Sequence, residues 1–162
     1  PMQDQSVNAL LRPIQVGRLS LPNRIVMSPM TRGRTPGSVP NSLNAEYYAQ
    51  RASAGLVFAE STAISAYGIG FTNTPGIFTE EQAAGWKGVT DAVHARGGKI
   101  VLQLWHSGRN SHSSLLPGGA TPIGPSAVPV EGGVWTHLGR LPIEVPRAIE
   151  LTEIPALIHE YR

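Results

Sequence analysis

Three short apolar runs recur along the chain, at residues 24–31, 56–64 and 100–104. Runs of this length without polar alternation are typical of strands that are buried on both faces of a parallel sheet. Pro29 cannot donate a ladder hydrogen bond, so we expect the first run to end or bulge near Ser28. The pattern therefore predicts three buried strands.

Segments with helical spacing alternate with these strands. The predicted helices are residues 43–53, capped by Asn41 or Ser42; residues 79–96, opened by a Thr79–Gln82 capping box; and a last helix capped by Thr152, with Pro155 in its first turn. Their expected apolar faces are Leu43, Tyr47 and Ala54, then Trp86, Val89 and Val93, then Ile154, Leu157, Ile158 and Tyr161. Strand and helix in alternation predict an α/β fold with a parallel sheet.

Two further segments lie outside this alternation. Residues 14–21 are typical of a short hairpin, and residues 113–150 form a Pro/Gly-rich excursion with a predicted hairpin at 134–145. Three apolar strands leave two unpaired sheet edges, which soluble proteins avoid, and a complete (β/α)8 barrel usually needs about 250 residues. We therefore expect residues 1–162 to be a single incomplete domain, the first part of a TIM (β/α)8 barrel that other sequence completes.

The composition excludes several function classes. The 13 basic and 11 acidic residues give a formal net charge of +2, and they form no basic stripe of the kind that binds nucleic acid. The absence of cysteine excludes disulfides, thiolate metal ligands and cysteine nucleophiles. No apolar run approaches the length of a membrane span and no signal-peptide pattern opens the chain, so we expect a cytoplasmic protein without membrane association.

Gln103 is a polar residue inside the third apolar run. Alternation places Gln103 and Trp105 on one face near the strand's carboxyl end, where parallel α/β sheets bind ligands. For this strand alone, the simpler explanation is structural: Gln103 hydrogen-bonds to a nearby backbone group and Trp105 packs against its neighbours. Thr31, however, follows the first strand, and Glu60-Ser61-Thr62 lie near the end of the second. Three polar strand ends at one rim favour a site for a flat heteroaromatic ligand.

Several other polar residues are candidates for a functional site. His106 and His112 are six residues apart, which is not the spacing of a helical zinc pair, so no metal site is expected. Arg109 is either an anion ligand or a solvated or locally paired side chain. Glu60 is a candidate general base, although no partner carboxylate accompanies it. The glycine-rich stretches match neither phosphate-loop pattern.

Several longer motifs follow one another in the chain. They are Pro22-Asn23-Arg24-Ile25-Val26-Met27-Ser28-Pro29-Met30-Thr31, Glu46-Tyr47-Tyr48-Ala49-Gln50-Arg51-Ala52, Glu60-Ser61-Thr62, Gln103-Leu104-Trp105-His106-Ser107-Gly108-Arg109 and Ser114-Leu115-Leu116-Pro117-Gly118-Gly119. In this order they resemble the old yellow enzyme family of flavin-dependent ene reductases. The match runs across nearly the whole chain.

The resemblance implies a barrel with FMN at its carboxyl-terminal mouth. Its implied flavin contacts are the backbone at Pro29, Met30 and Ser61, the Thr31 hydroxyl near the O4/N5 edge, and the Gln103 amide at the pyrimidine edge. Phe71 and Trp105 resemble walls of the substrate pocket, and residues 113–150 resemble the family's capping segment. The implied reaction is reduction of FMN by NAD(P)H, followed by hydride transfer to an activated alkene such as an enone, enal or nitroalkene.

The resemblance covers only the first half of the family's sequence. The His-and-Asn (or His-His) pair that grips the substrate carbonyl has no counterpart here, nor does the tyrosine proton donor, so no catalytic residue is assigned in this chain. We therefore expect a complementary C-terminal half-barrel polypeptide, or self-association, to complete the enzyme. The alternatives are a non-catalytic half-barrel fragment and a flavin- or partner-binding module without turnover.

Overall fold

A three-stranded parallel sheet lies at the centre of the structure, a computed structural model that describes residues 9–162. The start of the expected 1–162 domain, residues 1–8, lies outside the described residues. In chain order the strands are β1 (Ile14–Val16), β2 (Leu19–Leu21), β3 (Val26–Met27), β4 (Leu56–Ala63), β5 (Ile100–Trp105), β6 (Ile123–Gly124), β7 (Gly133–Thr136), β8 (Gly139–Pro142) and β9 (Arg147–Ala148). The central sheet has the order β3–β4–β5, and both pairs are parallel. The three predicted strands and their parallel pairing are therefore confirmed, but only β4 is largely buried, since Val26 of β3 and Leu104 of β5 are 47% and 44% exposed.

Three helices lie wholly within the described residues: α1 (Ser42–Ala49), α2 (Glu80–His94) and α3 (Ile154–Glu160). The side chain of Asn41 accepts a hydrogen bond from the Leu43 amide at 2.9 Å and so caps α1. The capping box of Thr79 and Gln82 opens α2 as predicted. Short 3-10 turns occur at Pro36–Ser38, Ala66–Gly68, Ser113–Leu115 and Pro117–Gly119.

The hydrophobic core lies between the sheet and the first two helices. It contains Tyr48, Ala52, Val57, Ala59, Trp86, Val89 and Val93. The α2 face is the predicted one, and Ile100 and Leu102 of β5 pack against the same cluster. This places Gln103, by alternation, on the opposite face of the sheet.

The predicted buried face of α1 is wrong at Leu43, whereas Tyr47 and Ala54 are partly buried and pack against the core. Leu43 is 57% exposed, whereas Asn44, Tyr48 and Ala49 are buried. Buried hydrogen bonds explain why α1 turns a different face to the interior. The Asn44 amide donates to the Thr35 hydroxyl at 2.9 Å, and the Tyr48 hydroxyl accepts from the Glu60 amide of β4. The helix also ends at Ala49 rather than at residue 53.

The predicted Thr152 cap of α3 is also wrong. The N-cap position is Glu153, and its side chain does not cap the helix. The Glu153 carboxylate instead accepts hydrogen bonds from both terminal nitrogens of Arg147, at 2.7 and 2.9 Å, and from the Glu150 amide. These bonds lower the pKa of Glu153 to about 2. A local ion pair therefore organises the turn into α3.

Both predicted hairpins are present. Strands β1 and β2 pair antiparallel around Gly17, which has a φ of 56°, and β7 pairs antiparallel with β8 inside the excursion. Strands β6 and β9 form a small parallel pair at the base of that excursion. In the part of the chain that the structure describes, no helix has the length and apolar character needed to cross a membrane.

Asn23 joins the start of β3 to the start of β4. Its side-chain oxygen accepts from the amides of Ile25 and Gly55, at 3.1 and 2.8 Å, and its nitrogen donates to the Ser53 carbonyl at 2.9 Å. A Cβ atom on Gly55 would clash with the backbone oxygen of Asn23. Glycine is therefore required for this close approach.

Two glycine substitutions test this junction. We expect Gly55→Ala to destabilise the protein by about 2 kcal/mol or more, because backbone must shift to admit the methyl group. Gly88→Ala is the matched control, since Gly88 lies within α2 and an added Cβ would meet nothing within 4 Å. It should instead stabilise by about 0.5–1 kcal/mol. Urea unfolding of the assembled protein, in which the expected C-terminal half completes the barrel, measures both effects. Equal effects of the two substitutions would contradict the assignment.

Candidate functional site

The chain leaving β3 runs along the carboxyl-terminal edge of the sheet. The backbone amide of Arg32 donates a 2.8 Å hydrogen bond to Oε2 of Glu60, so this segment lies beside the end of β4. Of the predicted site residues here, Pro29 is half-buried, while Met30 and Thr31 are exposed. Strand β3 is short and ends at Met27, consistent with the break expected before Pro29.

Ser61 and Gln103 are brought together by the pairing of β4 with β5. They are direct register partners, and the Ser61 hydroxyl donates a 2.7 Å hydrogen bond to Oε1 of Gln103. The pairing contains a bulge, because three residue steps from Phe58 to Ser61 match two steps from Val101 to Gln103. Both site side chains remain partly accessible at the rim.

Phe71 and Trp105 form a second part of the rim. Their rings are stacked, with centroids 5.8 Å apart and planes at 13°. The loop that carries Phe71 contacts the excursion, since the Thr72 amide donates to the carbonyl of Trp135 at 3.2 Å. The two predicted pocket walls thus make one aromatic surface at the end of β5.

Glu60 is fully buried and connects three elements. Its Oε1 accepts from the Tyr48 hydroxyl of α1 at 3.2 Å, and the Glu60 amide donates to the same hydroxyl at 2.8 Å. Burial is the main cause of a raised pKa at Glu60, opposed by hydrogen bonds from the Arg32 and Gly33 amides and from Tyr48. Burial likewise raises the pKa of Tyr48. The geometry assigns Glu60 to holding the rim together rather than to general base catalysis.

The remaining candidates have local roles. Nδ1 of His106 accepts from the Gly108 amide at 3.0 Å, and burial lowers its pKa. Nδ1 of His112 accepts from the Ser114 amide, and its Nε2 lies 3.7 Å from a carboxylate oxygen of Glu144. Arg109 donates to the Val128 carbonyl at 2.9 Å, which supports local pairing over anion binding. Among residues 9–162 no three metal-ligating side chains cluster.

The fold and rim define a class of protein: a partial β/α barrel with amide, hydroxyl and aromatic groups at the carboxyl ends of its parallel strands. Residues 9–162 match the model of the NADH:flavin oxidoreductase / NADH oxidase family, and the chain belongs to that family. This is the old yellow enzyme family that the sequence motifs resemble. The family cofactors are FMN and a nicotinamide reductant.

Curated relatives support the same assignment. The chain is 43% identical over 167 residues to 12-oxophytodienoate reductase 7 of Oryza sativa subsp. japonica, covering 99% of this chain and 42% of that protein. It is 43% identical over 159 residues to the flavin oxidoreductase hxnT of Emericella nidulans, covering 94% of this chain and 40% of that protein. The chain therefore spans about two fifths of the length of these relatives.

Solved structures support the fold. Morphinone reductase in complex with tetrahydroNAD superposes with a TM-score of 0.90 at 52% identity, covering 94% of this chain and 44% of that one. The old yellow enzyme homologue from Zymomonas mobilis gives a TM-score of 0.90 at 45% identity, covering 94% and 43%. The expected partial TIM (β/α)8 barrel is thus confirmed.

The rim residues fit a flavin. Nε2 of Gln103 has no hydrogen-bond partner among the described residues, and neither has the Thr31 hydroxyl, so a donor from β5 and a donor from the chain after β3 are available. The pyrimidine part of a flavin presents carbonyl acceptors along its edge, which amide and hydroxyl donors satisfy. FMN contacts at Pro29, Met30, Thr31, Ser61 and Gln103 stay predictions.

The sequence did not indicate the link between Tyr48 and Glu60. A carboxylate inside an apolar strand was a visible signal that a buried partner was needed, because buried charged groups are almost always hydrogen-bonded. Tyr48 was not identified as that partner, since the predicted face of α1 pointed elsewhere. The side-chain role of Ser61 was also missed, because it depends on the bulge.

Glu60→Gln is expected to change the pH dependence of stability. The pKa of Glu60 is raised in the folded state, so protonated Glu60 favours folding. This contribution to the free energy of unfolding is fully present below the unfolded-chain pKa of 4.5. That contribution is lost as the pH rises through the folded-state pKa. The stability of the wild type relative to Glu60→Gln should therefore fall as the pH rises across this window, then level off.

Urea midpoints of the wild type and of Glu60→Gln, each assembled with the C-terminal half and measured across a series of pH values, give this difference. Comparing the two proteins cancels the titration of all other groups, which they share. A difference that is constant, or that grows in favour of the wild type as pH rises, would contradict the raised pKa of Glu60.

Proposed function

We propose that this chain supplies the N-terminal part of an FMN-dependent NAD(P)H oxidoreductase that reduces activated alkenes such as enones, enals and nitroalkenes. The observation that carries the proposal is the rim itself. In a chain of the flavin oxidoreductase family, Ser61 and Gln103 are joined at the carboxyl ends of two parallel strands, beside the stacked pair of Phe71 and Trp105.

Each rim residue has a proposed task. Gln103 directs its amide to the pyrimidine edge of the flavin, and Thr31 donates near the O4/N5 edge. Bound FMN supplies the hydride acceptor and donor of the reaction. A hydrogen bond from Thr31 favours the more electron-rich reduced form and so raises the tendency of the cofactor to accept hydride.

The aromatic surface has a different task. Phe71 and Trp105 present stacked rings to the mouth of the barrel, and such rings exclude water from a bound alkene and orient it by packing. The excursion at residues 113–150 approaches the same rim through the contact between Thr72 and Trp135. It forms part of the cover over the mouth.

The remaining barrel is proposed to come from a complementary C-terminal half-barrel polypeptide, or from a second copy of this chain. The relatives are more than twice as long as the matched region. Apolar side chains at the sheet and on α3 are exposed, including Val26 at 47%, Leu104 at 44% and Ile158 at 51%. Covering these groups favours assembly over a free monomer.

Reconstitution tests the proposed function. The chain is co-expressed with the C-terminal part of morphinone reductase that lies beyond the matched region, and, separately, alone. We expect the pair to bind FMN at one per complex and to oxidise NAD(P)H when an enone is added, because the pair completes the sheet and the site. The chain alone should aggregate or behave as a loose globule with little FMN.

Size-exclusion chromatography, flavin absorbance and NAD(P)H oxidation provide the readouts. A monodisperse monomer with a cooperative melt and stoichiometric FMN would contradict the need for the second half. A folded pair that binds no FMN would contradict the flavin role, and a flavin-loaded pair that reduces no activated alkene would contradict the reaction.

Gln103→Leu tests the pyrimidine contact. The leucine keeps a similar volume but removes both polar atoms, so FMN binding to the assembled protein should weaken by about 1–3 kcal/mol as flavin groups lose their partner. FMN titration monitored by flavin fluorescence measures the change. Unchanged affinity would remove Gln103 from the site.

A further inference from the structure

We propose that the Ser61 side chain is a positioning residue, which sets the orientation of the Gln103 carboxamide and so the hydrogen-bonding pattern that the rim offers to the flavin. This inference rests on the proposed function. It goes beyond that function, because the resemblance implies only a backbone contact at Ser61.

The bulge in β4 is the first observation. Side chains of a regular strand alternate between faces, so two steps from Phe58 would place Glu60 opposite Gln103. The extra residue shifts the register, and Ser61 becomes the partner of Gln103. Glu60 is directed instead to Tyr48 and the Arg32 amide. The bulge thus keeps the Glu60 carboxylate away from the Gln103 amide and places the Ser61 hydroxyl beside that amide.

The local hydrogen bonds secure this arrangement. The Thr62 side chain is fully buried, and its hydroxyl donates to the Glu60 carbonyl at 2.9 Å, across the bulge. The Glu60 amide donates to the Tyr48 hydroxyl at 2.8 Å. Ser61 is therefore held between two residues whose polar groups are already bonded to the interior.

The bond between Ser61 and Gln103 is the second observation. The terminal torsion of a Gln side chain has a broad energy profile, so the amide plane is set mainly by its partners. The Ser61 hydroxyl lies 2.7 Å from Oε1 of Gln103 and donates to it. With the oxygen held on the β4 side, Nε2 is the group left to donate towards a ligand.

This orientation selects the chemistry of the ligand edge. The Nε2 donor matches a carbonyl acceptor, and Oε1 retains a second lone pair for an N–H donor. An edge with an adjacent acceptor and donor, such as the pyrimidine edge of a flavin, satisfies both atoms. Without Ser61, the amide samples both of its flipped orientations, and only part of the population offers the matching pattern.

The test uses the assembled flavoprotein and three variants. Ser61→Ala removes the hydroxyl, Ser61→Thr restores one, and Ser65→Ala is a matched control because the Ser65 hydroxyl is buried without a hydrogen-bond partner among the described residues. We expect Ser61→Ala to weaken FMN binding about three- to tenfold. Its flavin midpoint potential should fall, since a poorly oriented donor stabilises reduced flavin less. Ser61→Thr should recover most of both losses, and Ser65→Ala should resemble the wild type.

A cofactor-free measurement separates this inference from the proposed function. In the assembled apoprotein, the side-chain amide resonances of Gln103 are assigned by their loss in Gln103→Leu. Ser61→Ala should shift them and lower their heteronuclear NOE, whereas Ser65→Ala should not. If the wild type fails to bind FMN, the proposed function fails, and these resonances alone decide the role of Ser61.

Two results would overturn the inference. The first is a Gln103 amide with the same resonances and mobility in Ser61→Ala as in the wild type. The second is an FMN affinity and midpoint potential in Ser61→Ala that equal those of Ser65→Ala.

Discussion

The buried carboxylate of Glu60 is the constraint on which the rim depends. A carboxyl group in the interior is costly unless it is hydrogen-bonded, and here its partners come from α1 and from the chain after β3. The hydrogen bonds of Glu60 therefore fix α1, β4 and the segment after β3 relative to one another. The raised pKa of Glu60 shows that burial outweighs these bonds.

Because of its bulge, strand β4 contributes apolar side chains to the core and a hydroxyl group to the rim. Its first part gives Val57 and Ala59 to the core under α1 and α2. Its last part turns Ser61 towards Gln103 on the other face of the sheet. A regular strand would have brought the Glu60 carboxylate to the rim instead. One extra residue thus separates the Glu60 carboxylate, which bonds to Tyr48 of α1, from the Ser61 hydroxyl, which bonds to Gln103.

Local signals predicted most of the fold, and non-local pairing accounts for what they missed. The Thr79–Gln82 capping box and the apolar run at 100–104 are contained in a few neighbouring residues, so the sequence alone placed α2 and β5. The face of α1 depends on Tyr48 meeting Glu60, twelve residues away. The bulge depends on the register between two strands, which no single segment reveals. The family resemblance implied Phe71 as a pocket wall, and no spacing in the sequence predicts that its ring stacks on Trp105.

We propose that the carboxyl ends of the three parallel strands hold the isoalloxazine ring of FMN. A crystal structure of the assembled protein with FMN tests it most directly. We expect the pyrimidine edge within about 3 Å of the Gln103 amide, with Ser61 still bonded to Oε1 of Gln103 and Thr31 at the O4/N5 edge. A flavin bound elsewhere, or one whose pyrimidine edge makes no hydrogen bond to Gln103, would contradict this binding mode.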